Sequence, residues 1–170
     1  MKIEHKRRAG FTSAAVLLVA FSLLAQQGPK APKETAKEGD VAVIVNPLNP
    51  VESISLAELR TIFAGEKQNW KRNFPVFAMV RAPQSHERDV LLGRVLKMTD
   101  SEYKQYWVKK VYSGDAHHEP LMLMSNGMQL EAVRSDRGSI ALISMQDVHQ
   151  GVKVIKVDGR LPGTPGYLLK

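Results

Sequence analysis

The sequence has 170 residues, no cysteine and a formal charge of +7. That length holds one domain plus accessory segments. The missing thiol excludes disulfides, thiolate metal sites, a thiol nucleophile and a lipid-modified cysteine at a processing site.

Residues 1–25 read as an export signal. Lys2, Lys6, Arg7 and Arg8, against Glu4, form a basic start, and the apolar run GFTSAAVLLVAFSLLA follows. A bilayer-spanning helix needs about 20 apolar residues. This shorter run fits a signal peptide with cleavage after Ala25, the alternative being a retained anchor. The protein is therefore expected outside the cytoplasm, in the periplasm or an equivalent space. Residues 26–39, QQGPKAPKETAKEG, carry Pro, Lys and Glu without a large apolar side chain and read as a disordered linker. The basic start holds +3 of the charge and the linker +1, which leaves +3 on the remainder. That mild excess favours anionic ligands without pointing to nucleic acid.

Residues 40–160 alternate strand and helix patterns. VAVIVN, residues 41–46, is a β-branched run suited to a strand buried on both faces. Ser55 and Glu58 make a capping box for a first helix, with Ile54 and Leu59 as its staple and Leu56, Leu59, Ile62 and Phe63 inward. Gly65 ends it. Residues 75–81 form a second strand, and residues 85–98 a second helix. Thr99 and Glu102 cap a third helix running to about Tyr112, with Tyr103, Trp107 and Val111 on one face. Residues 121–124 are a short strand, and Ser125 or Asn126 starts a helix that Gly138 stops. Residues 139–144 and 152–157 are the last strands. Residues 161–170, rich in Gly and Pro, read as a loose tail.

This alternation predicts an α/β fold, with an open, mainly parallel sheet flanked by helices. Ligands gather at the carboxyl ends of strands in such sheets, where helix N-termini offer free N–H groups and positive dipole ends. Three strand-to-helix junctions carry a hydroxyl there: Ser53 or Ser55, Ser85, and Ser125. The second also holds Arg81. Together they supply the parts of an oxyanion site, although serine is also an ordinary helix cap.

Other groups carry less. His117 and His118 are adjacent in a polar stretch beside Glu119 and lack metal-ligand spacing, so no metal or cofactor is implied. The aromatic residues around Trp107 are spaced as a core stripe rather than a stacking platform. Trp70 suits either a cap on the first helix or an exposed anchor for a partner. No nucleophile elbow, Ser–His pair or glycine-rich phosphate loop occurs, so an enzyme is not expected.

The runs VAVIVNPLNPV, SLAELRTIFAGEKQNW and PVFAMVRAPQSHERDVLL resemble the phosphate-binding subunits of ABC importers and the wider periplasmic-binding-protein family. The resemblance is carried by Val45-Asn46-Pro47, Phe63-Ala64-Gly65, Trp70, Arg81 and Ser85. The later MSNGMQLEAVRSDRGSIALIS resembles that family's returning segment. The likeness spans residues 41 to about 157 and implies roughly one lobe of a type 2 binding protein. It implies an inorganic oxyanion such as phosphate, touching Arg81, Ser85 and also Ser55 and Ser125, and a link to ABC-type uptake. Two departures matter. The family's Ser-Gly-Thr is Ser85-His86-Glu87 here, which puts a carboxylate near the anion position, and its Gly-Tyr is Ala141-Leu142. The rival expectation is an envelope protein-interaction module that keeps the fold without the ligand. Partners under these readings are a membrane transporter, another envelope protein, or a second copy whose half-cleft completes the first.

Overall fold

The computed structural model describes residues 39–71 and 73–170. The expected signal peptide and all of the expected linker except Gly39 lie outside them. In chain order the elements are β1 (Val41–Val45), β2 (Ser53–Ile54), α1 (Leu56–Phe63), β3 (Asn69–Lys71), β4 (Phe74–Pro75) and β5 (Phe77–Arg81). There follow α2 (His86–Val90), which continues as a π-helical turn over Leu91–Leu96, then α3 (Asp100–Tyr112) and β6 (Leu121–Leu123). The last are α4 (Asn126–Ser135), β7 (Ser139–Ser144), a 3-10 turn (Met145–Asp147) and β8 (Lys153–Val157).

Six strands form one sheet in the order β2-β8-β1-β7-β5-β6. Pairing is parallel for β2 with β8 and for β5 with both β6 and β7. The sheet is thus mainly parallel, with β1 alone reversed: it runs antiparallel to β7 on one side and β8 on the other. All five β1 residues are fully buried, so a run of β-branched side chains suits it in either direction. On one sheet face Val41, Val43, Ile140 and Leu142 pack against Leu59, Phe63, Leu91, Leu96 and Tyr103 from α1 through α3. On the other, Ala42, Ile44 and Ile143 pack against Leu130 and Val133 of α4. Burial on both faces leaves the backbone ladder dry and fully committed to its neighbours.

The reversal of β1 fixes what its Val-Asn-Pro end does. Asn46 lies at the amino-end pole of the parallel strands, where its Nδ2 donates to the carbonyls of Val133 (2.9 Å) and Arg134 (2.8 Å) near the end of α4. Those carbonyls have no onward helical partner, so Asn46 closes α4 and ties it to the central strand. Trp70 of β3 is buried rather than an exposed anchor, and its Nε1 donates to the Gly138 carbonyl at 2.9 Å. A side chain at Gly138 would run into the Pro75 carbonyl oxygen, which is why the sharp turn into β7 carries none.

The tail corrects the sequence-based expectation. Residues 161–170 are not loose: Tyr167 is 3 % exposed and Leu169 0 %. The Val41 N–H donates to the Leu169 carbonyl at 3.0 Å, and the Tyr167 hydroxyl to the Val41 carbonyl at 2.7 Å. Gly163 N donates to Asp40 Oδ2 at 2.5 Å. Gly and Pro here shape a strap that crosses the start of β1 rather than a free end. Burial raises the Tyr167 phenol well above its ordinary pKa, with Asp40 adding to the effect. Replacing Leu169 by Ala is expected to cost about 2–5 kcal/mol, whereas Leu168→Ala, at a half-exposed site, should change stability little. Urea unfolding of the two variants measures the difference.

Candidate functional site

The carboxyl ends of β5, β6 and β7 form one rim. Arg81 closes β5, and the short turn after it places Ser85 at the start of α2. Ser125 follows β6 and starts α4. Ser144 closes β7. Because the three strands are parallel neighbours, their ends and the two helix starts converge, as the strand-to-helix alternation predicts.

What the rim holds is a carboxylate of the chain itself. Glu87, in the first turn of α2, is 5 % exposed and points into the junction. Its Oε1 accepts from Asn126 Nδ2 at 2.6 Å and from the Ser144 backbone N–H at 3.1 Å. Its Oε2 lies 3.6 Å from Arg81 Nε. The guanidinium is held from behind, since Arg81 Nη1 donates to the Leu123 carbonyl at 3.1 Å. Arg81 Nε itself has no hydrogen-bond partner among the described residues. A guanidinium, an amide and a backbone N–H thus face a pair of carboxylate oxygens, the donor set that recognises an oxyanion.

The two serines at this rim are committed to the backbone. Ser85 Oγ donates to the Ala82 carbonyl (2.9 Å) and accepts from Arg88 N (3.3 Å). Ser125 Oγ accepts from Met128 N at 3.2 Å. Both act as caps. Ser55 caps α1 in the same manner, accepting from Glu58 N at 3.0 Å, but it stands elsewhere. It follows β2, and β8, β1 and β7 separate that strand from β5. Four strand spacings amount to roughly 19 Å. The structure therefore brings Arg81, Ser85 and Ser125 together and leaves Ser55 at the far edge. There the Leu56 N–H is taken by Asp158 Oδ1 at 3.1 Å.

Four residues of the rim were not singled out as ligands from the sequence. Asn126 is one, donating also to Asp147 Oδ2 at 2.7 Å, so a second carboxylate stands next to the first. Ser144 is another, contributing its backbone N–H. Arg88 braces the scaffold: its Nη1 donates to the Arg81 carbonyl (3.1 Å), its Nε to Asp100 Oδ1 (2.7 Å), and its guanidinium lies 4.8 Å from the Tyr103 ring centre. The signal available for Asn126 was its place beside the cap serine, where an amide has the reach to face a neighbouring helix start. His117 and His118 are exposed and precede β6, at the opposite end of that strand from the rim. Among the described residues no group of three or more His, Asp or Glu side chains is placed to hold a metal ion, and no helix is long and apolar enough to cross a membrane.

No family model matches the sequence, and no curated protein matches it. Solved structures do. A putative phosphate ABC transporter substrate-binding protein with bound phosphate, from Clostridium perfringens, superposes with a TM-score of 0.59 at 23 % identity, over 72 % of this chain and 46 % of that one. An ABC-type phosphate transport receptor from Vibrio cholerae gives 0.59 at 22 % identity, over 72 % and 48 %. PstS from Borrelia burgdorferi gives 0.56 at 18 %, over 72 % and 49 %. The chain has the fold of part of these binding proteins and spans less than half of their length. At such identities the likeness establishes the fold, a periplasmic-binding-protein-like lobe, as the sequence motifs implied.

The pairing of Arg81 with Glu87 has an energetic consequence. Glu87→Ala leaves a largely buried guanidinium without its counter-charge and should lower stability by about 3 kcal/mol. Replacing both partners by apolar residues, as in Arg81→Met with Glu87→Leu, should recover most of that loss. Urea melts of the three proteins provide the comparison.

Proposed function

We propose that this chain is an extracytoplasmic binding-protein lobe whose oxyanion site is filled by its own Glu87, and that it works through protein contacts rather than by capturing free phosphate. The observation that carries the reading is the buried Glu87 carboxylate lying against Asn126, the Ser144 N–H and the Arg81 guanidinium. An external anion at that position would have to displace a covalently tethered one, which rebinds without a diffusional encounter. The acidic Asp147 beside it raises the cost further, since it adds negative charge to the same junction. Partners for such a module are a component of an ABC-type transporter or another envelope protein. The basic and apolar start of the sequence supports export. No catalytic group is assigned.

The second reading keeps phosphate, or a similar oxyanion, as the ligand of the wild-type rim, with Glu87 swinging out and Arg81, Ser85 and Ser125 receiving it. It is favoured by the Arg81 Nε that lacks a hydrogen-bond partner among the described residues and by the phosphate-binding proteins that share the fold. Ser55 stands too far along the sheet to take part in either reading.

Thermal melting in phosphate separates the two. A ligand at 100 times its Kd adds about 2.7 kcal/mol to stability, several degrees for a chain of this size. The self-filled site predicts that the wild-type melting temperature stays constant through ten millimolar phosphate. It predicts that Glu87→Ala gains a phosphate-dependent rise, and that Arg81→Ala in that background removes it. A saturable rise in the wild-type protein, lost in Arg81→Ala, would replace the first reading by the second.

A further inference from the structure

The pole opposite the anion rim carries a cavity that neither reading uses. It has a volume of about 490 Å³. Its apolar wall is built by Ile62, Val76, Ala78, Met79, Trp107 and Leu121. These come from the end of α1, the beginnings of β5 and β6, and the second half of α3, so the cavity sits beneath the amino ends of the parallel strands. The wall is preformed and stiff on the indole side. Gly65, held at a φ of +67°, lies so close to the Trp107 ring that any side chain there would collide with it. Trp107 is 3 % exposed, and the Tyr106 ring meets it edge-on at 5.6 Å. A concave site of this size falls within the range that small-molecule pockets occupy, and it is too small to seat a helix or a strand with its side chains.

The polar groups at the mouth narrow the chemistry. Lys67 is the one ordinary cation among the lining residues, and its ammonium is already paired with Glu58. Asp136 contributes the opposite charge, and one of its oxygens accepts from Gly138 N at 2.7 Å. An anionic ligand would lose water here and meet no unpaired cation among the described lining residues. Gln68 and the two histidines, of which His118 Nδ1 contacts the Glu119 carbonyl at 2.8 Å, leave hydrogen-bonding capacity at the entrance.

We infer that this cavity binds a small molecule without negative charge, with an aromatic or branched apolar body and one hydrogen-bonding head, the body against Trp107 and the head toward Gln68 and His117. Such a ligand would leave the Arg81 rim untouched, so the two poles can be tested independently. The probes are 2-naphthol and its charged counterpart 2-naphthoate, titrated at pH 8 into the isotopically labelled full chain and followed by amide NMR. The expected result is saturable shifts at Ala78, Leu121 and the Trp107 indole with 2-naphthol, and binding at least tenfold weaker with 2-naphthoate. Ala78→Phe, which fills the wall from β5, should abolish both. Ala116→Phe fills it from the loop after α3 and serves the same purpose if the strand variant does not fold. Absence of saturable shifts with 2-naphthol, tighter binding of 2-naphthoate, or shifts that persist in the filled variants would each overturn the inference.

Discussion

One largely buried guanidinium organises the rim at the carboxyl ends of the parallel strands. Arg81 sits where three parallel strands end and two helices begin, a position at which free N–H groups and helix dipoles accumulate positive potential. Positive potential in a dry junction demands a negative partner, because an isolated buried charge is far costlier than a paired one. In this chain the partner is Glu87, reached within the same strand–turn–helix unit. The carboxylate takes the Asn126 amide and the Ser144 N–H as well, so a single side chain ties α2, α4 and the end of β7 together. The donors are those an oxyanion would use. What differs from a binding site is that the acceptor is tethered.

The rest of the architecture holds that junction in place. β1 runs against the direction of the other strands and is buried on both faces, which binds the two helical layers to one central strand. Asn46 at its end closes α4, whose opposite end presents Asn126 to Glu87. The C-terminal strap covers its beginning through Tyr167 and Leu169. Arg88 braces the Arg81 backbone from the other side while paired with Asp100. A chain without cysteine gains its rigidity here from a doubly covered sheet and from side chains that finish helix ends.

Much of this was legible in the sequence, and the parts that were not share a cause. The β-branched runs, the cap serines and the Thr99–Glu102 capping box mark strands and helix starts through local chemistry, and both reciprocal bonds of that box are present. Arg81 and Ser85 at one junction also followed from order along the chain, and a carboxylate near the anion position from the family resemblance. Strand direction did not, because five fully buried residues look alike in a parallel or antiparallel ladder. The far placement of Ser55 depends on that same ladder order. The strap was misread because Gly and Pro report turn geometry and say nothing of whether the apolar residues beyond them, Tyr167 and Leu169, find a core. Trp70 was ambiguous for a related reason: its indole partner, the Gly138 carbonyl, lies 68 residues away.

A crystal structure of the Glu87→Ala protein grown in phosphate tests the central claim most directly. The account predicts a tetrahedral anion in place of the lost carboxylate, within hydrogen-bonding distance of Arg81, Asn126 Nδ2 and the Ser144 N–H. A junction that closes over the missing side chain, with Arg81 turned out to solvent and no anion bound, would contradict it.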